Sequence, residues 1–322
     1  MKPTRIFFAS DLHGSDVTFR KFVNAARFYG ADALVFGGDL MGKVLIPIVE
    51  QAGGRHVAEF HGSQHWVDDS DSLEGLQKRV GDAGSYWALM GPEEYEALTE
   101  NRGAVEDLFR RLAAERLRAW VAFAEERLEG SAIRLFLTGG NDDDPAVLPV
   151  LDESPTEHVV SCEHRVVELD DQHTMITIGY STPTPWHTPR EKSEEEIAGA
   201  IDASMAGVSD PSRCILNVHV PPIGSALDLC VKVDASTDPP SPVMMGGRPE
   251  YTHGGSRAVL EAIRTYQPAA GLHGHIHESP GRIRYGRTKC FNPGSEYAQG
   301  VLSGVFLSIK DGEILSYQRT SG

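Results

Sequence analysis

Asp11 and His13 stand two residues apart at the end of the apolar run Phe7-Phe8-Ala9, just before Gly14. An Asp that follows a strand often serves only as a turn or helix cap. Beside a His at the end of a buried strand it can instead hold a metal ion, because polar side chains taken out of water need a partner. The same pattern of an apolar run that leads to a ligand-type side chain recurs four times. Asp39 follows Ala33-Leu34-Val35-Phe36-Gly37-Gly38, and Asn141 follows Leu135-Phe136-Leu137-Thr138-Gly139-Gly140. His219 follows Cys214-Ile215-Leu216-Asn217-Val218, and His273, His275 and His277 follow Ala269-Ala270-Gly271-Leu272. In an open sheet the carboxyl ends of the strands share one edge, so five such tips could converge on one site. The glycines would let backbone pack closely around it.

The elements that must position these residues begin with a βαβ unit. A helix over Asp16–Tyr29 has Ser15 or Asp16 as its cap, Phe19, Phe22, Val23, Ala26 and Phe28 as its apolar face, and Gly30 as its stop. Such a unit favours at least one parallel strand pair with helices outside the sheet. Residues 44–50 and 55–61 read as a hairpin around Gly53-Gly54, placed to overhang the Asp39 loop. Residues 70–129 take helical spacing, with Tyr86, Trp87, Met90, Tyr95 and Leu98 as core and Arg110, Arg111, Arg116 and Arg118 as a solvated face. Residues 159–178 read as a hairpin around Asp170-Asp171 in a second, antiparallel layer, and residues 191–206 as a helix. Residues 219–256 read as a long loop with few strand or helix signals, including Asp238-Pro239-Pro240; Ser256 caps the next helix. A turn at Asn292-Pro293-Gly294-Ser295 and a hairpin around Asp311-Gly312 close the chain.

Composition limits the function. The 322 residues are 40% hydrophobic and 24% charged, enough for a large core. The formal charge of -16 opposes binding to nucleic acid phosphates or an anionic membrane, so a small-molecule partner is expected. No apolar run reaches spanning length, and residues 1–5 lead into the first strand without a signal-peptide core. Cys162, Cys214, Cys230 and Cys290 lie too far apart for a zinc ribbon and suggest no disulfide framework. A cytoplasmic location is expected, and nothing in the sequence sets an oligomeric state.

Taken in order, Asp11-x-His13, Gly38-Asp39, Gly140-Asn141-x-Asp143, His219 and Gly274-His275-x-His277 resemble the signature of the calcineurin-like metallophosphoesterases. Within that superfamily the chain is most similar to the small bacterial and archaeal phosphoesterases and phosphodiesterases. The resemblance runs from residue 6 to about residue 295, with residues 70–129 as an insertion it does not explain. It implies an α/β chain of the α+β type, in which a two-layer β sandwich is flanked by helices in four layers, α/β/β/α. One domain over residues 1–322 would carry the hairpin at 44–61 and a helical insertion at about 70–130. It further implies that Asp11, His13 and His277 hold one metal and Asn141, His219 and His275 the other, with Asp39 bridging. Carboxylate, amide and imidazole donors without thiolate suit Mn, Fe or Zn, with Mn favoured, as divalent or trivalent ions. Two such ions about 3.5–4 Å apart can hold a hydroxide for attack on the phosphorus of a small phosphoester substrate. His273, left out of the signature, is expected to be buried or to brace a ligand.

One position departs from the pattern. Many members carry a His where this chain has Asp142, a His thought to bind phosphate or protonate the leaving group. Asp142 beside two cations would stay ionised, donate no proton and repel a dianionic monoester more than a monoanionic diester. Members without that His are often phosphodiesterases, so a phosphodiester is the expected substrate. Asp142 and Asp143 are the catalytic candidates; Asn141, Arg248 and His253 are the substrate-binding candidates, His253 because it precedes a helix N-terminus that favours anions. Two other readings are an idle protein-binding scaffold of the same fold, which the full ligand set opposes, and a nuclease, which the negative charge opposes.

Overall fold

The computed structural model describes residues 2–153, 156–237 and 239–322; Met1 and Asp238 thus lie outside the described residues. The first strand, Thr4–Ala9, alternates its side chains between two buried faces. Ile6 and Phe8 point into one apolar cluster while Phe7 and Ala9 point into another. It pairs in parallel with Ala33–Phe36 through the helix Asp16–Tyr29. Ser15 caps that helix by accepting from the Thr18 amide at 3.4 Å, and Gly30 ends it at φ 64°. Phe19, Phe22, Val23 and Ala26 form its buried stripe. Phe28, expected on that face, is 82% exposed, because two residues beyond Ala26 turns a side chain about 200° round the helix.

Two six-stranded sheets lie face to face. The first has the order Glu313–Ser321, Ser303–Lys310, Thr4–Ala9, Ala33–Phe36, Arg134–Leu137, Val159–Ser161. The second has the order Gly281–Tyr285, Thr288–Asn292, Ala270–Leu272, Cys214–Val218, Thr174–Ile178, Val166–Glu168. Ile6, Phe8, Val35 and Phe136 of the first meet Met175, Ile215, Leu272 and Phe291 of the second in a dry interior. On the outer faces, Phe19, Phe22 and Trp120 cover the first sheet, and Ile197, Ile201, Val259 and Ile263 cover the second. This is the four-layer α/β/β/α arrangement. Among the described residues no helix is long and apolar enough to cross a membrane, and all four cysteines are unbonded.

Several local expectations are corrected. The second layer is mostly parallel, not antiparallel: Thr174–Ile178, Cys214–Val218, Ala270–Leu272 and Thr288–Asn292 run together, linked in part by the helices Glu194–Met205 and Arg257–Tyr266. Only the hairpin of Val166–Glu168 with Thr174–Ile178 and the pairing of Gly281–Tyr285 with Thr288–Asn292 are antiparallel there. Tyr86–Met90 is a strand, not helix, and pairs in parallel with Leu45–Gln51. A strand partner at this edge outweighs the helical spacing, and Tyr and Trp suit a pleated surface. The hairpin of Leu45–Gln51 with Arg55–Phe60 is real but belongs to a four-stranded sheet that also takes Ser63–Val67. The stretch after His219 is not bare loop: it folds into three short two-stranded ribbons.

Arg116 also departs from the solvated face expected for the long helix Arg102–Leu128. Its side chain is 11% exposed and donates from Nη1 to the carbonyls of Gly14 (2.6 Å) and Ser85 (3.0 Å). The helical region is thereby tied to the loop that carries His13.

The Asp170 turn shows how a partly buried carboxylate ties the two sheets of the sandwich together. Asp170 accepts from the Gln172 and His173 amides (2.6 and 2.7 Å), from Thr4 of the first sheet, and lies 2.8 Å from His173 Nδ1. Burial opposes ionisation, but these donors outweigh it and hold the carboxyl well below the usual range. A depressed folded value stabilises the fold fully above the unfolded pKa, about 3.9; the gain starts to fade there and is lost as pH falls on through the lower folded value. Asp170→Asn should lower stability at pH 7 by about 2 kcal/mol. In urea unfolding, the gap between the two proteins should narrow at pH 3.

Candidate metal centre

All five expected tips meet at the edge where the carboxyl ends of the two sheets adjoin. Asp11 and His13 follow Thr4–Ala9, Asp39 follows Ala33–Phe36 and Asn141 follows Arg134–Leu137 in the first sheet. His219 follows Cys214–Val218, and His275 and His277 follow Ala270–Leu272 in the second. The loops are cross-tied by backbone. The Asp11 amide donates to Gly38, His13 to Asp39, and Gly274 to His219, each at 2.9–3.0 Å. Asp11, His13, Asp39 and His275 all sit in the left-handed region, at φ 60°, 42°, 60° and 67°. Non-glycine residues held there store strain that the surrounding structure must impose, as functional sites often do.

The donor atoms converge. The Asp39 Oδ2 atom lies 3.6 Å from His13 Nε2 and 3.4 Å from His219 Nε2, while its Oδ1 accepts from the Asp142 amide at 3.0 Å. Asp11 Oδ1 lies 3.3 Å from His277 Nε2 and 4.0 Å from His219 Nε2. His13 Nε2 and His277 Nε2 face each other at 3.0 Å, and His219 Nε2 stands 3.0 Å from Asn141 Oδ1. Two donor groups result, Asp11 with His13 and His277, and Asp11 with Asp39 and His219. A third, unexpected group joins His13, Asp39 and Asp142. The His275 ring packs against His219 at 5.3 Å between centroids, and its amide donates to both Asp11 oxygens.

Glycine is required where these tips touch. A Cβ on Gly140 would stand 2.1 Å from Asp39 Oδ1, and one on Gly274 would stand 2.0 Å from Ser10 Oγ and 2.4 Å from Asp11 Oδ2. The supporting bonds fix the imidazoles. His219 Nδ1 lies 2.8 Å from the Gly37 carbonyl, which turns Nε2 toward the carboxylates. Ser295 Oγ donates to the Asp11 carbonyl at 2.6 Å, and Asn292 Nδ2 braces the histidine turn through Ile276 at 2.9 Å.

The electrostatics fit cations. Asp11 and Asp39 are 0% and 2% exposed, yet both are held well below the usual carboxylate range: burial opposes this, and the His277 and His219 partners overcome it. Burial alone would lower His219, but the Asp39 charge lifts it to about 9. Burial takes His275 down to about 4, with His219 adding to the effect, and drives His13 far below its usual value. His13 Nδ1 is buried without a hydrogen-bond partner. Two anionic carboxylates, the imidazoles of His13, His219 and His277 and the Asn141 amide oxygen converge on one space, and cations would take the place of the protons that His219 and His277 hold against the carboxylates.

The remaining candidates fall into place around this centre. Asp143 does not face the space. It is fully buried and accepts from the Leu40, Met41 and Gly140 amides at 3.0, 2.7 and 2.7 Å, so it holds the Asp39 and Asn141 loops together. Burial, with the Asp39 charge, pushes it up to about 7 against those donors. Asp142 is at the centre's edge, 3.8 Å from His13 Nδ1, and burial with the Asp39 charge takes it up to about 6. It is also ion-paired with Lys43, a residue sequence reasoning missed; four positions after Asp39, Lys43 carries no motif signal. Tyr297, also missed, packs its ring 4.7 Å from that of His13, just beyond the Asn292-Pro293-Gly294-Ser295 turn. His273 is buried beside its strand with Nδ1 2.8 Å from the Val218 carbonyl, as expected of a bracing residue. His253 and Arg248 are not brought to the centre's donor groups. His253 Nδ1 lies 2.9 Å from Asp228, and Arg248 is exposed in a ribbon. The helix N-terminus after His253 is already filled, because Glu194 accepts from the Arg257 and Ala258 amides at 2.8 and 2.9 Å. That carboxylate takes the place an anionic ligand would need.

Two back-to-back sheets with ligand-type side chains on the loops along their joint edge give this chain the four-layer α/β/β/α fold that the resemblance implies. No protein-family model and no curated protein matches the chain. Solved structures do. The chain is similar to TT1561 of Thermus thermophilus, with TM-score 0.54 and 14% identity over 99% of this chain and 98% of that one. A further solved chain aligns at TM-score 0.60 and 16% identity, over 98% of this chain and 99% of its own. A dimetal phosphatase from Danio rerio aligns over 99% of both chains at TM-score 0.45 and 8% identity.

Two substitutions test the centre. Asp39→Asn keeps shape but removes the charge that faces both His13 and His219, so metal content by elemental analysis should collapse. Gly140→Ala leaves every donor in place but drives a methyl into Asp39; it should cost about 1–3 kcal/mol of stability and lower metal content as well.

Proposed function

We propose that this protein is a cytoplasmic, dimetal phosphoesterase that hydrolyses a small-molecule phosphoester, with a preference for phosphodiesters. The observation that carries the proposal is that a single Asp39 oxygen lies 3.6 Å from His13 and 3.4 Å from His219, two imidazoles that fall in different donor groups. In this reading Asp11, His13 and His277 hold one ion, Asn141, His219 and His275 hold the other, and Asp39 is shared. Mn fits this mixed O and N donor set. When bound, the ions would supply Lewis acidity toward phosphoryl oxygen and an activated water.

The chain's own residues do the rest. Thr188 Oγ1 accepts from Asn141 Nδ2 at 2.9 Å and so aims Asn141 Oδ1 inward. Gly37 orients His219, and Asp143 fixes the spacing of the Asp39 and Asn141 loops. Asp142 stands where many such enzymes carry a His. Its pairing with Lys43 offsets the bare negative charge expected from sequence, so repulsion of a dianion is weaker than that charge alone would give. The pair still offers no excess positive charge to a dianionic monoester, whereas a monoanionic diester needs less.

The test is kcat/KM on an aryl monoester and an aryl diester, at one pH and one Mn concentration, for the wild type and Asp142→His. The wild type should favour the diester. Asp142→His supplies a proton donor and should raise the monoester-to-diester ratio by up to about 100-fold with metal content unchanged. An unchanged ratio would move the choice of substrate away from residue 142.

A further inference from the structure

Lys43 leaves the Asp39 loop and pairs with Asp142; its side chain is 45% exposed while that of Asp142 is 13% exposed. A half-exposed ion pair of this kind adds only about 0–1 kcal/mol to stability, so the fold does not require it. An ammonium carries three donors, and among the described residues Asp142 is its only hydrogen-bond or ion-pair partner. Asp142 in turn lies against His13, 3.8 Å from Nδ1, in one donor group with His13 and Asp39. The carboxylate therefore fixes where a positive charge stands, at the rim of the metal centre and open to solvent. A point charge on a flexible stem is a common way to hold a phosphoryl oxygen.

We propose that Lys43, steered by Asp142, is a substrate-binding residue that donates to a non-bridging phosphoryl oxygen. The proposal rests on the phosphoesterase reading and adds to it the cation that meets the substrate. Lys43 takes over the phosphate contact that a His would make in place of Asp142. Asp142 is then a positioning residue: while paired, the two charges offset each other, and only with Lys43 gone does the carboxylate repel the substrate outright.

Binding of inorganic phosphate to the Mn-loaded protein, followed by isothermal titration calorimetry, tests this directly, with metal content measured on each sample. Lys43→Met should weaken phosphate binding by about tenfold or more, as loss of one charge-assisted hydrogen bond does. Lys43→Arg should keep most of the affinity. Asp142→Asn should weaken binding in the wild-type background but strengthen it in the Lys43→Met background, where an unpaired carboxylate would repel the anion. This reversal of sign is one that a merely structural role would not give. A Lys43→Met affinity within about twofold of wild type at equal metal content would overturn the proposal, as would the same sign for Asp142→Asn in both backgrounds. Loss of metal in Lys43→Met would assign the residue to holding the centre together and overturn it too. A wild type that takes up no Mn would instead defeat the phosphoesterase reading beneath it.

Discussion

Two carboxylates, Asp11 and Asp39, are buried and ionised at the tips of adjacent parallel strands. Burial of one ion without compensation costs several kcal/mol, and a second like charge beside it raises that cost. The surrounding architecture answers this constraint. Backbone amides of His275 and Asp142 donate to the carboxylates, and the imidazoles of His277 and His219 lie against them. The four left-handed backbone positions and the close contacts at Gly140 and Gly274 let the loops reach that geometry. A buried His13 Nδ1 without a hydrogen-bond partner makes poor sense as part of an ordinary packed core.

The convergence of Asp11, Asp39, Asn141, His219 and the His275-x-His277 turn was legible because parallel strands end at one edge, whereas their roles as metal ligands came from the family resemblance. The sandwich itself followed from the family resemblance rather than from strand patterning. Patterning misread the second layer as antiparallel, because a buried parallel strand such as Cys214–Val218 shows no alternation that would mark its direction. It misplaced Tyr86–Met90 for a related reason: whether five such residues become strand depends on a neighbour, here Leu45–Gln51, far away in sequence.

What stayed hidden were contacts made by side chains with no motif of their own. Lys43 and Tyr297 come to the centre from loops whose paths are set by tertiary packing. Arg116 looked like one more charge on a solvated helix, yet it fastens that helix to the Gly14 carbonyl. The opposite error occurred at His253. A helix start plus a His suggested an anion site, but Glu194 already supplies the anion from the neighbouring helix. Asp143 illustrates a third kind of gap, since its place in the signature reflects backbone bonds that hold loops in register rather than contact with reacting atoms.

The central claim is that the space between these tips holds two metal ions that share Asp39. Anomalous diffraction from crystals of Mn-loaded protein measures it most directly. Two peaks per chain about 3.5–4 Å apart are expected, one beside Asp11, His13 and His277 and the other beside Asn141, His219 and His275, with Asp39 between them. A single peak, or two peaks with Asp39 bound to only one of them, would contradict the account.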